Sequence, residues 1–249
     1  MTAELRIACA GWSLSAAVAA DFPVEGSHLQ RYAAVLNAVE INSSFYRPHR
    51  PATYARWRDS VPEDFCFAVK IPRSISHERR LRDADDLLAP FLAEAMELRH
   101  KLGCLLLQLP PSLRFDAGVA ATFFSQLRER TSVPVACEPR HASWFAEAAA
   151  ELMRRHAVAC VRADPPPVRD AVPDGYDGIV YLRLHGAPDI YRSRYDDVFL
   201  DTLAARIGQY AAHARQVWCV FDNTAEGHAV PNALTLMRLL ERRRVHDAS

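Results

Sequence analysis

Several short stretches of the sequence end in side chains that move protons or hold anions. Glu40 and Asn42 are two residues apart, as are Arg162 and Asp164, Arg183 and His185, and Phe221 and Asn223. Alternate residues of an extended chain share a face. If these faces point to one centre, two carboxylates, two guanidiniums, an imidazole and two amides meet there. Unpartnered buried charge is very costly, so such groups must pair with each other, a ligand or a metal. Glu138, Arg140 and His141 form another group, with Trp144 close behind. A glutamate beside a histidine serves as an acid/base pair or supplies two metal ligands; alternatively Arg140 simply neutralises Glu138. Arg183 and His185 offer a guanidinium for an anionic oxygen and an imidazole that titrates near neutral pH. Lys70 and Lys101 are the only lysines. Lys70 reads as an ion-pair partner of Glu40, since a Schiff-base role requires a depressed pKa.

The elements that carry these residues recur. Eight apolar runs close, in order, on Gly11-Trp12-Ser13, Glu40/Asn42, Lys70, Gln108, Glu138/Arg140/His141, Arg162/Asp164, Arg183/His185 and Asp222/Asn223, and most intervals show helical periodicity. Strand, polar tip and helix repeated eight times is the pattern of a (β/α)8 TIM barrel, whose site is built from the carboxyl ends of its strands. The runs predict strands at 5–10, 38–42, 65–70, 104–109, 133–138, 158–162, 179–185 and 217–221. Helices are expected near 27–37, 52–59, 87–101, 116–130, 144–156, 197–214 and 232–244. The segment 165–178 holds four prolines and no apolar period, which predicts an elaborated loop. Lys101 precedes the fourth strand, at the end of the barrel away from the tips, and its removal is expected to do little.

Composition bounds the rest. A chain of 249 residues, 50% hydrophobic, suits one barrel domain spanning 1–249. Thirty basic and thirty acidic side chains cancel, so no global field draws the protein to nucleic acid or to a membrane, and anion binding must be local. Six cysteines fall one each in six predicted strands without a C-x-x-C pair. They read as reduced, buried thiols, which points to a cytoplasmic protein. Residues 7–20 are uncharged but broken by Gly11, Trp12 and two serines; they include most of the first strand and are not expected to be a secretory leader. No apolar run is long enough to span a bilayer.

Trp12, Phe45, Tyr46, Trp144, Tyr191 and Tyr195 lie at tips or loops on one side of the expected barrel. They could wall a sugar or a base, or simply cap the mouth as packing. Arg47, Arg50, Arg73, Arg79, Arg80 and Arg82 make the second and third tips basic, which permits phosphate contacts. A divalent metal could draw on Glu40, Glu138, His141, Asp164 and His185, with His77 and Asp222 as further donors. No H-x-H or H-E-x-x-H pair anchors such a site.

Six blocks carry a resemblance: EINSSFYRP at 40–48, PEDFCFAVKIPRSISH at 62–77, KLGCLLLQLPPSL at 101–113, CEPRHASWF at 137–145, YLRLHG at 181–186 and VFDNTAEGHAVPNA at 220–233. In this order they resemble domain-of-unknown-function family 72, the YecE-like proteins. The resemblance implies a TIM barrel, a protein widespread in bacteria and archaea, and a family with no settled activity. The chain departs from the family pattern at Leu14, where an aromatic is usual, near Ala17, where a tryptophan is usual, at Ser76 for threonine, and at Asp222 for asparagine.

The leading expectation is an enzyme acting on a phosphorylated or otherwise anionic, sugar-like substrate. Arg162 and Arg183 would clamp the anion while Glu138 and His185 handle protons, with Glu40 and His141 as further catalytic candidates. Asn42, Lys70, Gln108, Asp164, Asn223, Tyr46, Trp12 and Trp144 would line the substrate. One alternative is a metal-dependent phosphodiesterase or nucleic-acid repair enzyme related to endonuclease IV-like barrels. Another is a non-catalytic anion-binding protein, because fold does not decide function.

Overall fold

The computed structural model describes residues 3–247, so residues 1, 2, 248 and 249 of the expected domain lie outside the described residues. Nine parallel ladder segments build the barrel: β1 (Glu4–Cys9), β2 (Ala38–Ile41), β3 (Cys66–Lys70), β4 (Leu102–Gln108), β5 (Val135–Glu138), β6 (Val158–Cys160), β7 (Arg162–Asp164), β8 (Ile179–Leu184) and β9 (Gln216–Phe221). Segments β6 and β7 are the two halves of the sixth expected strand, interrupted at Val161. The first half pairs with β5 and the second with β8. One strand therefore joins the sheet β2-β3-β4-β5-β6 to the sheet β1-β9-β8-β7.

The opposite seam, between β1 and β2, is closed mainly by side chains. One backbone bridge joins Ala10 to Glu40. Below it the Tyr32 hydroxyl accepts from the Cys9 N–H at 2.9 Å and donates to the Ala38 carbonyl at 3.0 Å. The Asn37 amide accepts from the Ile7 N–H at 3.1 Å and donates to the Leu5 carbonyl at 2.7 Å. Buried backbone groups must be paired, and here a tyrosine and an asparagine replace ladder bonds between splayed strands.

Seven α-helices surround the strands among the described residues: α1 (His28–Ala33), α2 (Pro51–Asp59), α3 (Asp85–Ala95), α4 (Ala117–Arg130), α5 (Glu147–Arg155), α6 (Asp197–Ala211) and α7 (Ala229–Asp247). Their starts follow local chemistry: Ser27 and Gln30 form a capping box on α1, and Asp116 and Asp196 accept from the backbone N–H groups of Val119 and Phe199. The sixth helical position is empty of helix, and the proline-rich segment 165–178 runs there as a loop. Its return pairs the Tyr176 N–H with the Val158 carbonyl at 2.9 Å, covering the edge that β6 leaves free.

The helix expected over 87–101 breaks. It ends as α3 and continues as a 3₁₀ turn over Met96–Lys101, with Arg99 at φ 54° and ψ −131°. This turn buries Lys101, whose Nζ donates to the carbonyls of Arg58 at 3.0 Å and Val61 at 2.9 Å. Lys101 is thus a bracing residue, contrary to the expectation that its loss would do little.

Two apolar layers share the strands. The outer, larger one lies between strands and helices. The inner one fills the barrel with Ala8, Ala38, Ala68, Ala136 and Ala159 around a stacked pair, Tyr181 and Trp218, whose ring centroids are 5.9 Å apart. Small side chains on most strands leave room for two large rings, which close the barrel and form the floor beneath the site. All six cysteines are free, and five of them are buried.

Candidate functional site

Inner-layer parity decides which tips face the mouth. On β2, β3, β4 and β5 the inward residues Ala38, Ala68, Leu106 and Ala136 are followed two positions later by Glu40, Lys70, Gln108 and Glu138. On β8 Tyr181 is followed by Arg183 and His185, and on β9 Val220 is followed by Asp222. These side chains converge on Arg183, which has no solvent contact.

Arg183 holds three carboxylates. Its Nε donates to Glu40 Oε2 at 3.1 Å and its Nη2 to Glu40 Oε1 at 2.8 Å; Nη1 reaches Glu138 Oε2 at 3.2 Å, and Nη2 also lies 3.0 Å from Asp222 Oδ2. The Tyr181 hydroxyl donates to Glu40 Oε2 at 2.8 Å, so the charged layer rests on the aromatic floor. His185 bridges the other two acids, with Nδ1 3.0 Å from Asp222 Oδ2 and Nε2 2.9 Å from Glu138 Oε1. Arg140 Nη2 donates to the same Glu138 oxygen and lies 3.0 Å from His185 Nε2. Gln108 Nε2 donates to Glu138 Oε2 at 3.0 Å. A buried multi-ion network of this kind is weak evidence for stability but strongly penalises loss of one member.

The network sets its protonation states. Burial raises the cost of ionising Glu138, yet the Arg183 guanidinium, His185 and Arg140 outweigh it and hold the carboxyl well below the usual range. These partners favour the ionised carboxylate of Glu138 as a counter-charge to Arg183. For His185 burial disfavours the imidazolium, but hydrogen bonds to Asp222 and Glu138 win and raise its pKa. His77 behaves oppositely: burial, then the charges of Lys70, Arg73 and Arg140, lower its pKa. Its ring meets the edge of Phe45 at 5.0 Å between centroids, and its Nδ1 lies 2.9 Å from Ser76 Oγ.

Lys70 does not pair with Glu40 as expected, because Arg183 and Tyr181 occupy both Glu40 oxygens. Its Nζ lies over the Phe45 ring, 4.1 Å from the centroid, and the residue is 4% exposed. Burial and the nearby Arg183 charge push the amine down to about 8.

Several expected site residues lie elsewhere. Ala163 belongs to the inner layer, so Arg162 and Asp164 on either side of it face outwards. The Arg162 guanidinium sits 5.1 Å from the Tyr210 ring centroid on α6, and Asp164 accepts from the Tyr195 hydroxyl at 2.9 Å. Both line an outer cavity of about 280 Å³ beside the loop that replaces a helix. The expected two-arginine clamp therefore does not form. Asn223 also points away, donating to the Ser193 carbonyl at 3.0 Å and Asn232 Oδ1 at 2.9 Å, which ties β9 to α7. His141 Nδ1 accepts from the Ser143 N–H at 3.1 Å and caps a short 3₁₀ turn, so its bonds are local. Trp144 is buried, donating from Nε1 to the Leu113 carbonyl at 3.0 Å. Trp12 packs edge-on against Trp57 at 5.2 Å. Of the expected aromatic wall, exposed Tyr46 leans on Phe45, and Tyr191 meets the edge of His185 at 5.7 Å.

Asp222 and Arg140 are more central, and Phe45 and His77 closer to the chemistry, than the sequence alone indicates. The alternation of alanines with charged tips is the signal that separates Asp222 from Asn223. Asn42 Oδ1 and Arg140 Nε are buried without hydrogen-bond partners, which leaves polar capacity at the rim of the network.

The donors do not fit a divalent metal. Glu40, Glu138 and Asp222 are all engaged by Arg183, His141 and Asp164 lie apart from them, and no group of three potential ligands is assembled among the described residues. Half of the basic rim is paired with acids, since Arg73, Arg79 and Arg82 meet Glu78, Asp86 and Asp116. No described helix is long and apolar enough to cross a membrane.

Known proteins resemble this chain, which matches under a third of the length of the YecE protein. The YecE protein of Escherichia coli K12 is 40% identical over 82 residues, a match covering 33% of this chain and 30% of that protein. The YunF protein of Bacillus subtilis is 22% identical over 95% of both chains. A crystal structure of a DUF72 family protein from Thermotoga maritima superposes with a TM-score of 0.81 at 25% identity, covering 96% of this chain and 99% of that one. The family model described as protein of unknown function DUF72 matches residues 6–249, and with its TIM-barrel fold the chain belongs to that family.

Proposed function

We propose that this protein is an enzyme that moves protons on a small anionic, sugar-like substrate at the carboxyl mouth of the barrel. The observation that carries this reading is His185 at the charged mouth, held 3.0 Å from Asp222 Oδ2 and 2.9 Å from Glu138 Oε1, with His77 against Phe45 at the same mouth; despite burial the two acids raise the pKa of His185, while burial and nearby cations lower that of His77. Groups tuned in opposite directions suit the acid and base roles of one reaction. Three carboxylates, Glu40, Glu138 and Asp222, face Arg140, Arg183, Lys70 and an imidazolium at His185, which leaves one cation in excess when all are ionised. That excess favours an anion. Arg183 is enclosed by acids, so the anion would meet Arg140 at the rim, with Asn42 and Gln108 offering amides to hydroxyl groups.

Thermal melts at low salt with phosphate, sulfate and a panel of sugar phosphates test this reading. Wild type should gain stability from at least one of them. Arg140→Ala should lose the gain, and Arg162→Ala, altered on the outer face, should keep it. If no anion raises the wild-type melting temperature, the anionic substrate is ruled out. Ligand-induced stabilisation without turnover of any sugar phosphate would support the non-catalytic binding alternative instead.

A further inference from the structure

We infer that Lys70 is a nucleophilic amine that forms an imine with a carbonyl group of the substrate, which narrows the substrate class to aldehydes and ketones bearing an anionic group. The inference rests on the proposed anion-binding mouth for its substrate, but its own argument is the setting of Lys70. The side chain leaves the inward face of β3 and is 4% exposed, and its nitrogen lies 4.1 Å from the centre of the Phe45 ring. Among the described residues it has neither a carboxylate within ion-pair distance nor a hydrogen-bond partner for Nζ. The barrel spends its acids otherwise: Glu40, Glu138 and Asp222 are all drawn to Arg183. A lysine placed for structure looks different, as Lys101 shows with two carbonyl acceptors at 3.0 and 2.9 Å and Glu63 at 3.7 Å.

Charge explains why the acids do not rescue it. Glu40, Glu138 and Asp222 all favour the ammonium, but burial and the adjacent guanidinium disfavour it more, and the amine falls to about 8. Desolvation and a neighbouring cation are the two means by which a lysine becomes a nucleophile near neutral pH. His77 packs nearly perpendicular to the same Phe45 ring and is held towards its neutral form by burial and by the charge of Lys70 itself, which makes it the acceptor for the proton that Lys70 sheds.

The chemistry balances without an oxidant or reductant. The Lys70 lone pair attacks the carbonyl carbon, forming a C–N bond while the π pair moves to oxygen. Oxygen is protonated, with His185 as the donor from within the mouth, and nitrogen loses a proton to His77. His77, now protonated, returns that proton to the hydroxyl, which leaves as water while the nitrogen lone pair forms the C=N bond, so the net proton consumed is the one from His185. The protonated imine is then an electron sink for removal of a neighbouring proton or cleavage of a neighbouring bond.

The near absence of lysine makes the test clean. The full-length protein is incubated with glyoxylate, a small anionic aldehyde, or with propionaldehyde, a neutral one, and reduced with cyanoborohydride. Peptide mapping then locates the secondary amine. The expected result is modification concentrated at Lys70 over Lys101 and the terminal amine, at least ten-fold faster with glyoxylate and rising with pH around 8. The groups that face Lys70 and enter that profile are Arg183, Glu40, Glu138, Asp222 and His77. Lys70→Arg and Lys70→Met should both abolish the adduct, and the wild-type map stands even if either variant folds poorly. Labelling no greater at Lys70 than at Lys101 with both aldehydes would overturn the inference. Selective labelling by propionaldehyde alone would leave the amine's role intact and remove the anionic-substrate reading. Anion-induced stabilisation without labelling of Lys70 would do the reverse.

Discussion

Arg183 and Glu40 form a two-point ion pair with no solvent contact, at 2.8 Å between Nη2 and Oε1 and 3.1 Å between Nε and Oε2. The pair is the hub through which the strands β2, β5, β8 and β9 share charge at the mouth. Removing the guanidinium leaves Glu40, Glu138 and Asp222 facing one another in a buried space. Arg183→Met is therefore expected to cost about 3–5 kcal/mol, seen as a melting temperature lower by on the order of 10 °C. The double change with Glu40→Gln should recover part of that loss, because the two sites are coupled. A single variant that melts with wild type would show that the network contributes nothing.

His185 gives the mouth a pH dependence with a definite sign. Its folded pKa is raised above the ordinary 6.5. The stability it contributes is thus fully present below about 6.5 and is lost as pH rises through the folded value. The difference in unfolding free energy between wild type and His185→Gln should shrink on going from acid to alkaline pH. His77, with a lowered pKa, should titrate below 6.5 by NMR while His185 titrates above it. Reversed midpoints would remove the acid and base assignments.

Lys101 predicts a structural loss far from the mouth. Its ammonium satisfies two backbone carbonyls where α2 meets the turn before β4. Lys101→Ala should cost about 2–4 kcal/mol in chemical denaturation, since hydrogen bonds to charged groups are worth roughly 1.5–3 kcal/mol each and their loss orphans both acceptors. Anion-induced stabilisation should persist in this variant at a temperature where it is folded. A cost below about 0.5 kcal/mol, the range of ordinary surface changes, would contradict the bracing role.

At the β1–β2 seam a single atom matters. Tyr32→Phe deletes only a hydroxyl, yet it leaves the Cys9 N–H and the Ala38 carbonyl without their buried partner. About 2–4 kcal/mol should be lost, on the order of 1–3 kcal/mol for each orphaned group. Hydrogen exchange should quicken at Cys9 more than at the centre of β4, which tests whether the seam opens locally.

The sequence alone determines the architecture, because each strand run and its polar tip are local features. Burial on both faces makes parallel strands read as continuous apolar runs, and four prolines in 165–178 suffice to deny a helix there. It also places Glu40, Lys70, Gln108, Glu138, Arg183 and His185 at tips that share one end of the barrel. Alternation along a strand states which residues share a face but not which face points inwards. Tertiary structure decides that: Ala163 turns in and sends Arg162 and Asp164 to the outer surface, while Val220 turns in and selects Asp222 over Asn223. Partner choice is likewise non-local. Glu40 goes to Arg183, 143 positions away, instead of Lys70, because the planar guanidinium fork engages the carboxylate at two points in a way that an ammonium does not match. That competition leaves Lys70 buried beside Phe45 without an acid, a state that follows from the closed barrel.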